Sequence, residues 1–198
     1  MTKYVLNSGA VGKNPELSRR YFMEIVKGLG KKPQILICYF ARPREVWEEK
    51  FVEDQKFIPA LLSPDVHPGL DMAMPDKFSE QVRQMDAIYI RGGDDFLLRY
   101  WLKQFDLPKL WVGKVVAGTS AGSDALVNSF WTCDWRQCMD GLGILPVKFL
   151  PHYQSNYGLN DTRGPVDWEK AYRQLQEYGN RTLPIHALKE GEFVVIEK

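Results

Sequence analysis

Residues 115–122, Val-Val-Ala-Gly-Thr-Ser-Ala-Gly, carry a buried, β-branched strand into the pattern Gly-x-Ser-x-Gly, and the residues that follow read as a helix over Ser120–Val127. In that strand–turn–helix context the pattern marks a nucleophile elbow. A side chain at Gly118 or Gly122 would collide with the neighbouring strand and helix. The turn lifts the Ser120 hydroxyl to a helix N-terminus, where unpaired N–H groups and the positive end of the macrodipole favour a developing oxyanion. Taken alone, the same residues also suit a serine that only caps a helix.

Outward from this turn, short apolar runs alternate with segments of helical period. Strands are expected at Tyr4–Leu6, Gln34–Tyr39, Ala87–Ile90 and Val112–Ala117, with weaker signals at Leu183–Ala187 and Phe193–Ile196. Leu17, Tyr21, Ile25 and Leu29 share a helical face behind the start signal Asn14-Pro15, and Trp168, Tyr172, Leu175 and Tyr178 share another. Further helices are expected at Pro43–Leu62, Asp76–Met85 and Asp95–Phe105, with a loop over His67–Pro75. This alternation implies one α/β domain over residues 1–198, built on a mostly parallel sheet, with functional residues at the carboxyl ends of its strands.

Composition narrows the function. The 26 Lys and Arg residues nearly balance 25 Asp and Glu, which argues against nucleic acid or a membrane surface as partner. No run reaches the roughly 20 apolar residues of a membrane span, and the start lacks the apolar core of a signal peptide. Cys38, Cys133 and Cys138 cannot all pair within one chain, and Cys133 and Cys138 have neither the spacing nor the second ligand pair of a zinc site. They read as reduced thiols, which implies a cytoplasmic location and makes the Asn180-Arg181-Thr182 sequon incidental.

A second loop of interest is Ile90-Arg91-Gly92-Gly93-Asp94-Asp95, a strand end followed by a glycine pair and a helix. Amides of Gly92 or Gly93 can complete an oxyanion hole with that of Ala121, and Asp94 or Asp95 suits an N-cap. The patterns of a nucleotide-binding loop are absent. Of the three histidines, His67 lies in a Pro-rich loop and His186 inside a strand-like run. His152 follows Phe149-Leu150-Pro151 at the start of a polar loop, where a general base facing a cleft belongs. On residue type alone, a structural role for any of the three stays open.

The ordered set Gly-Gly-Asp-Asp (92–95), Ala-Gly-Thr-Ser-Ala-Gly (117–122), Gly-Leu-Gly-Ile-Leu-Pro (141–146) and Leu-Pro-His-Tyr (150–153) resembles the family of aspartyl dipeptidase (peptidase E) and cyanophycinase. The resemblance implies a single-domain flavodoxin-like fold, similar to class I glutamine amidotransferases, with helices on both faces of the sheet. It also implies a cofactor-free, metal-free serine exopeptidase that cuts dipeptides with an N-terminal aspartate through an acyl-enzyme. The expected partner is a small peptide substrate, and the expected assembly a monomer or homodimer. In that reading Ser120 is the nucleophile, His152 the base, and Gly92, Gly93 and Ala121 the oxyanion neighbourhood. The acid that orients the histidine is Glu190, with Asp134 as the alternative. By the same resemblance, Arg163 within Asp161-Thr162-Arg163 holds the aspartyl side chain of the substrate, although it lies closer to the histidine than in the family pattern. Two other enzyme readings compete. One is the same fold acting on neutral or β-aspartyl peptides. The other is an α/β-hydrolase order with His186 as the base. A non-catalytic binding domain is the remaining alternative, and it has no use for both Ser120 and His152.

Overall fold

Strands covered on both faces read as continuous apolar runs rather than alternating ones. Four such runs form the middle of the main sheet: β1 (Lys3–Asn7), β2 (Gln34–Cys38), β4 (Ala87–Ile90) and β5 (Val115–Thr119). In the computed structural model, which describes Met1–Lys198, every residue of β4 and β5 is buried. Two strands lie at the edges, β3 (Gly69–Met72) and β10 (Phe193–Glu197), giving the order β10-β1-β5-β4-β2-β3. All pairings are parallel except that of β1 with β10.

Helices flank this sheet. They are α1 (Pro15–Val26), α2 (Trp47–Leu61), α3 (Phe78–Gln84), α4 (Asp95–Leu102), α5 (Leu107–Leu110) and α6 (Ala121–Asp124). Helix α1 starts where its residues require: the Asn14 side chain accepts from the Glu16 and Leu17 amides, and Pro15 occupies the first turn, where its missing N–H costs nothing. Asp94 caps α4 by accepting from the Leu97 amide at 2.8 Å. The mostly parallel α/β fold expected from the sequence is the fold observed.

A second sheet departs from that expectation. Strands β6 (Val127–Thr132), β7 (Gln137–Asp140), β8 (Leu145–Leu150) and β9 (Ile185–Ala187) pair in the order β7-β6-β8-β9. The helix expected over Ser120–Val127 therefore ends at Asp124, because the aromatic and β-branched residues after it pair with β7 and β8 instead. Pro146 would ordinarily exclude a central strand, but the β6–β8 register shifts between Val127/Leu145 and Ser129/Lys148, so Pro146 sits at an irregularity that needs no ladder bond from it. Similarly, Val112-Gly113 turns after α5, and β5 starts three residues later than the apolar run suggests.

Helix α7 (Trp168–Glu177) packs on this second sheet through Ala171 and Leu175, against Trp131 and Leu150. Its C-terminus is held by Lys148, a fully buried lysine of β8. The Lys148 ammonium donates to the carbonyls of Leu175, Gln176 and Tyr178 at 2.7, 3.0 and 2.6 Å. A cation there adds a donor to the Leu175 carbonyl, which also accepts from the Tyr178 amide, and satisfies the Gln176 and Tyr178 carbonyls. It also faces the negative end of the helix dipole. No helix is long and apolar enough to cross a membrane.

Candidate active site

Register alone places the site. Strand β5 lies between β1 and β4, with Asn7 opposite Thr119 and Ile90 opposite Gly118. The next residues along each strand, Ser8-Gly9, Ser120 and Arg91-Gly92, must emerge side by side at the carboxyl edge. Strand β2 ends beside Ile90 and delivers Arg42 to the same rim, where the Ala41 carbonyl accepts from the Asp94 amide at 2.8 Å.

At the end of β5 the chain turns sharply. Ser120 has φ 50° and ψ −119°, a backbone conformation of the kind that costs roughly 1–3 kcal/mol in a non-glycine residue. The turn is held from behind: the Ser120 amide donates to the Asn7 carbonyl, and the Ser120 carbonyl accepts from the amides of Ser123 and Asp124. The small residues around it are obligatory. A Cβ on Gly118 would stand 2.5 Å from the Gly122 backbone, and one on Gly122 would overlap the Ile90 carbonyl.

His152 arrives from β8 in the other sheet. Its amide donates to the Ser8 hydroxyl at 2.7 Å, and that hydroxyl donates in turn to the Leu188 carbonyl at 2.8 Å. Ser8 thus stitches β1 to the two loops that carry His152 and Glu190. The Asn7 side chain reinforces the join, donating to the Gly191 carbonyl and accepting from the Gly9 amide. His152 itself has φ 55°, so strain gathers on both sides of the cleft. Gly9 also has positive φ, and a Cβ there would overlap the His152 ring.

These supports align three side chains. The Ser120 hydroxyl lies 3.1 Å from His152 Nε2, and His152 Nδ1 lies 3.2 Å from Glu190 Oε1. In the tautomer that a carboxylate selects, Nδ1–H donates to Glu190 and Nε2 is left to accept from Ser120. Burial lowers the His152 pKa below the ordinary imidazole value, while the Glu190 carboxylate opposes that shift. The imidazole is consequently neutral at pH 7 and able to take a proton. Its ring stacks on Tyr157, with centroids 4.1 Å apart.

The two candidate acids part company here. Asp134 does not reach the imidazole; its carboxylate accepts from the Tyr157 hydroxyl at 2.7 Å. Glu190 occupies the Nδ1 side, and its other oxygen pairs with the exposed Lys13 at 3.2 Å.

Gly92 lies against the serine turn, since a Cβ on it would stand 2.7 Å from the Thr119 carbonyl and 3.2 Å from Ser120 Cβ. The amides of Gly92, Gly93 and Ala121 donate to no other group of the chain. Gly92 and Gly93 line the cleft with Ser120, and Ala121 follows Ser120 at the start of α6, so three free donors border the serine turn, as an oxyanion hole requires.

The cleft over these groups has a volume of about 430 Å³ and is lined by Ser120, His152, Arg42, Arg91, Asp134 and Tyr157, with backbone from Gly9, Gly92 and Gly93. Arg163 is not brought into it. Its guanidinium is held by Asp161, at 2.9 Å from Nε, and by the Asp134 carbonyl at 2.8 Å. His186 sits in β9, paired with Phe149 and away from the cleft, which removes the structural basis for a His186-centred triad. Sequence reasoning passed over Asn7, Ser8, Gly9, Arg42 and Tyr157. Asn7 ends β1 and Ser8 and Gly9 follow it, and that position at a strand end is the only signal the sequence offered for them.

Strand order, a strained serine turn and a Ser–His–Glu hydrogen-bond chain define an α/β protein of the serine hydrolase class. The chain belongs to peptidase family S51, whose family model matches residues 69–198, and it is a serine peptidase. Among solved structures it is similar to a peptidase from an acI-B1 Actinobacterium, with TM-score 0.66 and 20% identity over 99% of this chain and 83% of that one. It is also similar to a protein of Listeria monocytogenes EGD-e described as peptidase E, with TM-score 0.64 and 17% identity over 100% and 99% of the two chains. No curated protein matches the sequence. The matched stretch starts at Gly69, so Asn7, Ser8, Gly9 and Arg42 lie outside it.

Proposed function

We propose that this chain is an exopeptidase that cleaves dipeptides with an N-terminal aspartate through an acyl-enzyme on Ser120. The turn at Gly118–Gly122 serves as a nucleophile elbow, as in proteins similar to class I glutamine amidotransferases. Ser120 Oγ attacks the scissile carbonyl carbon while its proton passes to His152 Nε2. Charge gathering on the carbonyl oxygen is met by the amides of Gly92, Gly93 and Ala121. Collapse of the tetrahedral intermediate breaks the C–N bond, and the imidazolium gives its proton to the departing amine. Water, deprotonated by the same imidazole, then hydrolyses the ester and restores the serine. Glu190 holds the ring and stabilises the imidazolium without taking its proton.

The observation that carries this reading is the unbroken sequence of contacts from Ser120 through His152 to Glu190. A cleft of about 430 Å³ suits a short peptide. The preference for aspartate rests on the motif resemblance and on the similarity to the Listeria protein described as peptidase E. The three cysteines are free, in keeping with a cytoplasmic enzyme.

The test is hydrolysis of Asp-Leu, β-Asp-Leu and Leu-Leu by the purified protein. The reading expects Asp-Leu to be cleaved with the highest kcat/KM. Preferential cleavage of Leu-Leu or β-Asp-Leu would move the specificity elsewhere within the same chemistry, and no release from any peptide would reject the dipeptidase.

A further inference from the structure

The cleft contains two arginines, and they are in different electrostatic states. Arg91 is compensated: its guanidinium pairs with the buried Asp54 at 3.1 Å and with the Tyr89 hydroxyl. Asp54 is fixed in turn by the Tyr39 hydroxyl at 2.5 Å. Arg136 and Arg163, on the neighbouring loop, both pair with Asp161. Arg42 pairs with nothing. It forms no ion pair, and its Nε is buried without an acceptor.

A buried guanidinium donor left empty is costly. Arg99 and Arg136 also carry such donors, but neither lines the cleft, and Arg42 does. Arg42 is also held firmly in place. Its amide donates to the Tyr39 carbonyl at 2.8 Å, and its carbonyl accepts from the Trp47 indole at 2.9 Å. The preceding residue, Ala41, is bonded to Asp94 and abuts Gly93. Arg42 therefore stands on the wall that carries the candidate oxyanion amides, with a fork of donors, a full positive charge and no counter-ion. Asp134 is the carboxylate that shares the cleft, and it is engaged by Tyr157 and not by Arg42.

We infer that Arg42 is the residue that recognises the substrate's carboxylate, in place of the Arg163 expected from the sequence. A guanidinium binds a carboxylate through two parallel hydrogen bonds, and a lysine cannot reproduce that geometry. The inference rests on the peptidase reading for the identity of the ligand. A dipeptide such as Asp-Leu offers two carboxylates, the aspartyl side chain and the C-terminus, and Arg42 takes one of them.

The experiment separates binding from turnover. Ser120→Ala protein, which keeps the cleft but lacks the reactive hydroxyl, is titrated calorimetrically with Asp-Leu, Asn-Leu and Asp-Leu amide. The titrations are repeated on Ser120→Ala/Arg42→Gln and Ser120→Ala/Arg42→Lys. Arg42→Gln weakens Asp-Leu binding about 30-fold or more, as loss of one half of a desolvated charge pair does. Arg42→Lys recovers part of the loss. The peptide that lacks the recognised carboxylate binds weakly and equally with and without Arg42. That peptide is Asn-Leu if the side chain is read and Asp-Leu amide if the C-terminus is read. Unchanged affinity for Asp-Leu, equal losses for all three peptides, or no binding by the protein that retains Arg42 overturns the inference. Failure of the dipeptidase reading is distinct: it shows as absent turnover by the wild-type protein while the Arg42-dependent difference in binding persists.

Discussion

Replacing Glu190 by Gln removes a charge while preserving shape, and the consequence follows from the geometry. An imidazolium and a carboxylate 3.2 Å apart attract by about 5 kcal/mol at an effective dielectric near 20. Lys13, on the other carboxylate oxygen at 3.2 Å, offsets part of this attraction, weakly because its side chain is 74% exposed. A net transition-state loss of about 3–4 kcal/mol is left, or roughly 10²–10³-fold in kcat/KM. Glutamine has a second effect. Its NH2 can donate to Nδ1 and so favour the tautomer with the proton on Nε2, which cannot accept from Ser120. The pH profile carries an independent signature. The base works neutral, so activity rises with pH through the His152 pKa, which burial holds below about 6.5. Glu190 opposes that lowering, so Glu190→Gln shifts the acid limb further down in pH while reducing the plateau. The assay is kcat/KM for a cleaved dipeptide from pH 4 to 9, on wild type, Glu190→Gln and Asp134→Asn. Full activity in Glu190→Gln beside a collapse in Asp134→Asn would refute the reasoning and return the role to Asp134.

Two further substitutions probe the supports of the site. Gly9→Ala places a methyl group where the His152 ring lies and strains a residue at φ 124°, so turnover should fall by at least ~10²-fold. Circular dichroism should stay near wild type, and an unaffected turnover would show that the ring position is not set by Gly9. Asp95 is buried with one carboxylate oxygen unpaired, and burial pushes its pKa up to about 6. Below pH 4 both folded and unfolded forms hold the proton, and between pH 4 and 6 only the folded form does, so stability falls as pH rises through that window. Asp95→Asn should therefore add up to about 3 kcal/mol in urea unfolding at pH 7.5 and little at pH 4. A gain at pH 4 equal to that at pH 7.5 would mean that ionisation is not the cause.

The four middle strands of the main sheet were legible because they bury both faces, and α1 and α4 carry side-chain caps. The partly exposed β3, by contrast, lies inside the loop expected over His67–Pro75. Ala87–Ile90 is bounded as its apolar run suggests, and Asn14-Pro15 opens α1. Of the second sheet only β9 was legible, within the run expected at Leu183–Ala187. Strand β6 follows the short α6 of the serine turn, where a longer helix is expected, β7 is half polar, and Pro146 hides β8 from any rule that forbids proline in a central strand. The site divides along similar lines. Ser120, His152, Gly92 and Gly93 stand out by motif, and the fold brings them together. Ser8 and Gly9 acquire their positions from the pairing of β1 with β5, and no local residue pattern encodes that pairing. Arg163 had a visible competitor: Asp161, two residues earlier, captures its guanidinium. Arg42 had none, and its importance emerges only once every other arginine at the rim has been matched to its acid.

The central claim is that Ser120 is an activated nucleophile. The most direct measurement is the site of covalent labelling by a fluorophosphonate, read by peptide mapping and mass spectrometry on wild-type, Ser120→Ala and His152→Ala proteins. A single adduct on Ser120 is expected in the wild type, none in Ser120→Ala, and a labelling rate at least ~10²-fold slower in His152→Ala, since the hydroxyl then has no base. A wild-type protein that cleaves peptides while Ser120 stays unlabelled, or a Ser120→Ala protein that retains turnover, would contradict the account.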